Sequence, residues 1–350
     1  MDARVRTTDF CTRYGLRAPV LEAPMAGACP PELAAAVAAA GGMGAAGVVN
    51  DPPERIAAWA RRFRELAGDA PFQLNLWIPD PPVEAATGPA DAFLAGFGGR
   101  PAPPPGPGPD VDAQFEAVLE ARPTAVSTIM GLLGPDQVAA AHDAGIAWFA
   151  TATTRDDALA AERAGADVVV AQAMEAGGHR GTTDPADAES TVVGLFALVP
   201  WAGRRAHGAG RRGRGGRRRP FARRRAHPRR ERRTGRDGAA AHPPRPGIDD
   251  GWAATFDGLA PEATVTTRAY TGRLARAVPT DFVRAWARPD APAPAPYPHQ
   301  RHMVARYRAG EPGRVDRANH WAGQAAARST TDPAGDVVER MWREADALLP

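Results

Sequence analysis

The residues best suited to chemistry form one short segment, residues 172–181, with the sequence QAMEAGGHRG. It directly follows the apolar run ADVVVA at 166–171. A β-branched run that ends in a polar, glycine-rich loop is typical of a buried strand that opens onto a catalytic loop. The paired Gly177 and Gly178 let the backbone approach a ligand closely, and the adjacent His179 can transfer a proton near neutral pH. The segment therefore predicts proton-transfer chemistry beside a bound ligand.

Alternating apolar strands and alanine-rich helices position this loop. Strands are predicted at 20–25, 43–49, 72–78, 125–129, 147–150 and 166–172. Helices are predicted between them at 32–40, 53–66, 110–121, 134–144 and 155–164. Six repeats with parallel character indicate an α/β fold, either a (β/α)8 TIM barrel or a doubly wound sheet. In a barrel the active site lies at the carboxyl ends of the strands, where the histidine-bearing loop begins.

The remaining segments are less regular. Residues 79–109 are rich in proline and glycine, so we expect a long loop or a partly ordered insertion. Further on, 264–276 is predicted to be a connecting loop and 280–286 a helix. The segment 332–349 predicts an amphipathic helix. Its candidate buried positions are Val337, Val338, Met341, Trp342 and Leu348.

Length and composition restrict the class of protein. A chain of 350 residues, 44% of them hydrophobic, can form one large barrel or two ordinary domains. Two cysteines cannot form a disulfide framework, and the N-terminus shows no signal-peptide pattern, so we expect a cytoplasmic protein. The apolar stretch at 31–49 is interrupted by glycines, which favours a helix and a turn over a membrane span.

Several motifs together resemble the nitronate monooxygenase family, formerly called 2-nitropropane dioxygenases, which are FMN-dependent TIM barrels. The motifs are APMAG at 23–27 with GGMG at 41–44, the Asn-Leu pair at 75–76, and QAMEAGGHRG at 172–181. Two later segments also look like family signatures, TRAYTGR at 267–273 and WAGQ at 321–324. The resemblance covers residues 16–200 and 249–345, and its EAGGH motif is the specific one.

The resemblance implies roles for individual residues. His179 matches the catalytic base, which takes the α-proton of a nitroalkane or orients a nitronate before the flavin reacts with O2. The residues implied to contact FMN are Met25, Asn75, Gln172, Gly177 and Gly178. No metal, membrane or nucleic-acid partner is implied. A flavin-dependent enoyl reductase or NAD(P)H:quinone reductase is the alternative, since related barrels carry similar Ala-Gly-Gly-His loops.

Simpler structural roles stand beside these assignments. Asn75 could satisfy a backbone group within its strand, and Gln172 could cap its own loop. Met25 could be an ordinary core residue. Glu175 and Arg180 are expected to be solvated or ion-paired rather than catalytic.

An arginine-rich segment does not fit this pattern. Residues 201–248 contain 17 arginines and two acidic residues, whereas the rest of the chain has 26 basic and 38 acidic residues. The chain contains no lysine. In the family, strands seven and eight belong here, with glycine-rich loops that hold the FMN phosphate. The segment indicates either a basic arm for nucleic acid or a frameshifted stretch.

Translation one base out of step favours the frameshift. Residues 209–244 then allow a strand that ends in Ala-Ala-Gly-Gly, an alanine-rich helix, and Val-Gln-x-Gly-Thr, as the family requires. We therefore predict three regions: barrel strands one to six at 1–202, an aberrant and disordered segment at 203–246, and barrel closure with a helical extension at 247–350. Strands seven and eight would be missing or scrambled, and FMN would bind weakly. An inactive product and a nucleic-acid-binding protein remain alternatives.

Overall fold

The computed structural model describes residues 3–104, 108–204, 221–222 and 250–349. In chain order, the strands of these residues are β1 (Gly44–Gly47), β2 (Phe72–Trp77), β3 (Ala125–Ile129), β4 (Ala147–Ala152), β5 (Val168–Ala171), β6 (Gly178–His179), β7 (Phe221–Ala222), β8 (Val265–Thr267) and β9 (Ala275–Ala277). The helices are α1 (Ala3–Tyr14), α2 (Pro31–Ala39), α3 (Pro53–Ala67), α4 (Gly88–Gly96), α5 (Val111–Ala121), α6 (Pro135–Asp143), α7 (Arg155–Ala164), α8 (Leu195–Arg204), α9 (Asp250–Ala254), α10 (Asp281–Trp286), α11 (His299–Ala309) and α12 (Ala334–Asp346).

A parallel sheet organises the molecule, with strand order β1–β2–β3–β4–β5–β7. Isolated parallel bridges add the segment before β1, pairing Leu21 with Met43 and Ala26 with Gly47. The predicted α/β fold with a parallel sheet is therefore confirmed, although the first predicted strand forms only these bridges. Within the described ranges, no further parallel strand joins β7 to the 21–26 segment, so closure into an eight-stranded barrel stays a prediction.

One face of the sheet packs against the helices. Apolar and polar residues alternate along β2, and its Phe72, Leu74 and Leu76 side chains pack with α3 in the core. Helix α3 presents Ile56 and Phe63 to that core, a spacing that places both on one helical face. At the start of β1, a Cβ atom on Gly44 would lie only 2.7 Å from a backbone oxygen of α2. Glycine thus permits the close packing of α2 on the sheet.

The other face of the sheet is covered at its amino end by α1. Phe10 and Tyr14 of this helix pack against Met43, Phe149 and Val168, which lie near the starts of β1, β4 and β5. Because the amino end is filled by a helix, the carboxyl end of the sheet is left for ligands, as in other parallel α/β proteins.

Asp167 connects several elements at the amino end of the sheet. Its carboxylate lies 2.9 Å from the guanidinium of Arg13, 2.9 Å from the His142 ring, and 3.0 Å from the backbone N–H of Trp148. One buried carboxylate thereby links α1, α6 and β4.

The structure departs from three predictions made from local pattern. Residues 79–109, predicted as a long loop or a partly ordered insertion, contain α4, whose Leu94 is buried with aromatic residues of α10. The predicted loop at 264–276 contains β8 and part of β9, which pair with each other and with β6 as an antiparallel sheet. In α12 only Val338 is fully buried, whereas Met341 and Leu348 are 39% and 62% exposed, because this helix packs mainly on the single helix α2.

The proposed division at residues 202 and 247 stays a prediction. The aberrant segment at 203–246 lies outside the described residues, apart from its first two residues and the two of β7. That pair aligns in parallel with Val169 and Val170 of β5. In the part of the chain that is described, no helix has both the length and the apolarity to cross a membrane.

Candidate active site

His179 is positioned by the pairing of β6 with β9. Gly178 lies opposite Arg276, and His179 lies opposite Ala275. The amide of Gln172 holds the same loop: its Nε2 donates to the His179 carbonyl over 2.9 Å, and its Oε1 accepts from the Gly181 backbone over 2.7 Å. The capping role that the sequence left open for Gln172 is therefore present, and the side chain fixes the histidine between the sheet and the C-terminal hairpin.

The His179 imidazole lies in an aromatic enclosure. Its ring centroid is 4.8 Å from that of Trp77, at the end of β2, and 4.8 Å from that of Trp321. Tyr297 packs beside Trp77 at 5.8 Å. The imidazole Nε2 is 2.9 Å from the hydroxyl of Thr271, which fixes the ring's orientation. These partners come from distant parts of the chain and meet only in the fold.

The electrostatic environment of His179 disfavours its charged form. Burial, followed by the positive charges of Arg273 and Arg301, lowers the pKa of the His179 imidazole to about 3. The ring is therefore neutral at physiological pH. The neutral ring has one N–H donor and one acceptor nitrogen, and it binds a second ring proton only weakly.

Two guanidinium groups supply this positive potential. Arg273 is buried, forms a two-pronged ion pair with Asp80, and donates to the Thr182 carbonyl over 2.9 Å. Arg301 donates to the Tyr297 hydroxyl over 3.1 Å, lies over that ring, and also bonds to a side-chain oxygen in the loop after β1. Because Arg301 is only partly buried, its charge is accessible to an anionic ligand.

Asn75 and Met25 lie at the carboxyl end of the sheet, on either side of Gly47. Gly47 pairs with Asn75 in β2 and bridges to Ala26 on its other side. The Asn75 amide donates to the Ser127 hydroxyl over 3.0 Å. Met25 is 39% exposed, so the alternative of a core residue is wrong.

The two glycines before the histidine have different environments. A Cβ atom on Gly177 would lie 2.4 Å from the backbone nitrogen of Gly323, so this glycine permits close packing on the segment after Trp321. Gly178 has a φ of +77°, and the space beside it is open. Contact with a cofactor stays a prediction for both, and only Gly178 faces free space.

Sequence reasoning did not identify Glu22, which lies just before the APMAG motif. One carboxylate oxygen accepts from the Ala45 backbone over 2.8 Å, whereas the other is buried without a hydrogen-bond partner among the described residues. Burial raises the pKa of this carboxyl to about 7. An acid at the end of an apolar strand was the available signal. Trp77, Thr271, Arg273, Arg301 and Trp321 were likewise not singled out, although three of them lie in the two later motifs.

Comparison with known protein families gives a consistent match. A family model described as nitronate monooxygenase matches residues 9–206. Nitronate monooxygenase of Paraburkholderia phytofirmans is 34% identical, with 94% of this chain and 93% of the relative covered. Nitronate monooxygenase of Pseudomonas aeruginosa is 32% identical, with 96% and 99% covered. The family match ends near the start of the arginine-rich segment. The frameshift hypothesis stays a prediction that resequencing of the gene would test.

Solved structures agree on the architecture. A nitroalkane oxidase from Streptomyces ansochromogenes superposes with a TM-score of 0.74 at 28% identity, covering 95% of this chain and 98% of that one. FabK from Thermotoga maritima superposes with a TM-score of 0.60 at 19% identity, covering 97% and 96%. The second likeness concerns the fold alone.

Proposed function

Since the chain belongs to the nitronate monooxygenase family, we propose that it oxidises alkyl nitronates with O2, using FMN, in the enclosure around His179. Membership makes the chain a flavin-dependent oxidoreductase. The observation that carries the proposal is a neutral imidazole, held by Thr271 among aromatic rings and beside the charge of Arg301. This arrangement suits a small anion with an apolar chain.

The charges favour a preformed nitronate over a neutral nitroalkane. A general base works best when its pKa lies near the operating pH, and the lowered pKa of His179 makes it a poor acceptor for a carbon-bound proton. The positive charges of Arg273 and Arg301, by contrast, attract an anion. Of the two roles implied by the resemblance, orientation of the nitronate fits better than removal of the α-proton.

The carboxyl end of the sheet has features that fit a flavin ring system. Strand β1 carries only glycine and alanine, so no large side chain projects from it toward a flat ligand. The Oδ1 atom of Asn75 accepts no hydrogen bond from the described residues and is free to accept one. Asn75, Met25 and Gly178 would hold the ring, and Gln172 would act through the loop. The bound flavin supplies the redox chemistry, and the protein supplies position and electrostatics.

The proposal is tested by supplying the purified protein with FMN and measuring O2 consumption. We expect turnover with an alkyl nitronate and much slower turnover with the corresponding neutral nitroalkane. Oxidation of NADH or NADPH without any nitronate would overturn the proposal and favour the reductase alternative.

A further inference from the structure

A small cavity lies behind the histidine loop, away from the aromatic enclosure. Its volume is about 160 Å³, and it is enclosed by the turn after β5, by Val192, and by the β8–β9 hairpin. This volume is smaller than the roughly 300–1,000 Å³ of sites that hold a whole small-molecule cofactor. Any ligand here must be a small ion or one terminal group of a larger molecule.

Two buried arginines line this cavity. Arg180 and Arg276 are only 8% and 7% exposed. In the antiparallel pairing of β6 with β9, Gly178 lies opposite Arg276 and the Arg180 backbone bonds to Leu274. Side chains alternate between the faces of such a ladder, so both arginines project to the face opposite His179. The β6–β9 pair thus separates the aromatic enclosure around His179 from the cavity, which the two guanidinium groups line.

Neither guanidinium has its hydrogen-bonding capacity filled. Arg276 donates through Nε to the Met174 carbonyl over 2.8 Å and through Nη1 to the Thr264 carbonyl over 3.0 Å, which leaves Nη2 without a partner among the described residues. Arg180 donates through Nη2 to the Thr191 carbonyl, and its buried Nε has no partner there. Unpaired buried donors on a charged group are unfavourable unless a ligand or water satisfies them.

Among the residues that the structure describes, no carboxylate lies within ion-pair distance of Arg180 or Arg276. The prediction that Arg180 would be solvated or ion-paired was therefore wrong. The Glu175 carboxylate accepts from the Leu195 backbone at 3.1 and 3.2 Å, and Glu189 at the rim pairs with Arg268 at 2.7 Å. Burial lowers the pKa of both guanidiniums, and each interacts electrostatically with Glu175. The cavity consequently retains positive charge.

We propose that this cavity is a binding site for a small oxyanion of the phosphate type, with the guanidiniums of Arg180 and Arg276 as its ligands. Two guanidiniums with free N–H groups match the geometry of such an anion. The group could arrive as free inorganic phosphate or as the terminal phosphate of FMN, because Gln172 and Gly178 line the same cavity. The site does not depend on which substrate is oxidised next to His179.

Calorimetric titration with inorganic phosphate, at constant ionic strength set with chloride, tests the proposal. We expect saturable binding that Arg180→Gln and Arg276→Gln each weaken about tenfold or more, because a hydrogen bond to a charged group is lost. Arg317→Gln is the matched control. Arg317 is also buried and also donates to backbone carbonyls, but it lies outside the cavity.

A parallel titration with FMN and riboflavin distinguishes the two sources. If the cavity takes the cofactor's phosphate, the preference for FMN over riboflavin disappears in the Arg180 and Arg276 variants. If it takes the free ion, the variants keep that preference, and inorganic phosphate binds the unsubstituted protein more tightly than it binds the variants. Hydrogen exchange of the unsubstituted protein needs no variant, and phosphate should slow exchange in 172–192 and 264–277. Absence of any arginine-dependent binding, with unchanged exchange in those segments, would overturn the proposal.

Discussion

The neutral state of His179 predicts a specific dependence of stability on pH. In the folded protein its pKa is about 3, compared with an ordinary value of 6.5. Between these values only the unfolded chain binds the proton, so stability falls as the pH falls through this window. As the pH falls to about 4, this difference in proton binding lowers the free energy of unfolding by about 3.4 kcal/mol before any allowance for solvent. Because the ring is partly exposed, solvent screening reduces the expected loss to about 2 kcal/mol.

Urea unfolding of the wild type and of His179→Gln, at pH values of about 4, 5, 6 and 7, measures this difference. Both proteins lose stability from other carboxyl groups as the pH falls, so the informative quantity is the gap between their curves. We expect the wild type to lose about 2 kcal/mol more than His179→Gln. Thr271→Val removes the hydroxyl partner but keeps the imidazole, and should retain most of the wild-type slope. Parallel curves for the wild type and His179→Gln would refute the reasoning.

Three further substitutions test the packing around the site. Asp80→Asn leaves the buried guanidinium of Arg273 unpaired, so the free energy of unfolding in urea should fall by about 3–5 kcal/mol. Adding Arg273→Met should restore part of this loss. If the effects of the two substitutions on the free energy of unfolding simply add, the ion pair between these residues is contradicted. Gln172→Leu should lower the free energy of unfolding by about 1–3 kcal/mol and lower kcat/KM for a nitronate, since both loop hydrogen bonds are lost. An unchanged kcat/KM would show that the histidine loop does not need these hydrogen bonds. Gly44→Val should cost about 1–3 kcal/mol by overlap with α2, whereas Gly88→Ala, next to open space, should not; equal thermal stability of the two would contradict the packing.

The fold was predictable where the pattern was local and strong. The alternation of Phe72, Leu74 and Leu76 in β2, and the spacing of Ile56 and Phe63 in α3, each identify an element and its buried face. In the same way, the β-branched run before the histidine loop predicted β5. These signals lie within a few residues of each other, so no knowledge of distant partners is needed.

The rest of the site depends on contacts between distant segments. Thr271 and Trp321 reach His179 only because β6 pairs with β9, and neither short strand has an apolar alternation of its own. Strand formation in such segments is decided by the neighbouring strand rather than by intrinsic preference. Helix α4 was missed for a related reason: its flanking prolines and glycines indicated a loop, whereas burial of Leu94 against the C-terminal region stabilises a helix.

The most direct test of the central claim is the steady-state oxidation of an alkyl nitronate by the FMN-supplied protein and two histidine variants. His179→Asn should lower kcat/KM by about one to two orders of magnitude, because a hydrogen bond that orients the anionic nitronate is lost. His142→Asn, at the closed amino end of the sheet, should leave kcat/KM unchanged. Equal activity of the wild type and His179→Asn, or loss of activity in both variants, would contradict the assignment of the chemistry to the enclosure around His179.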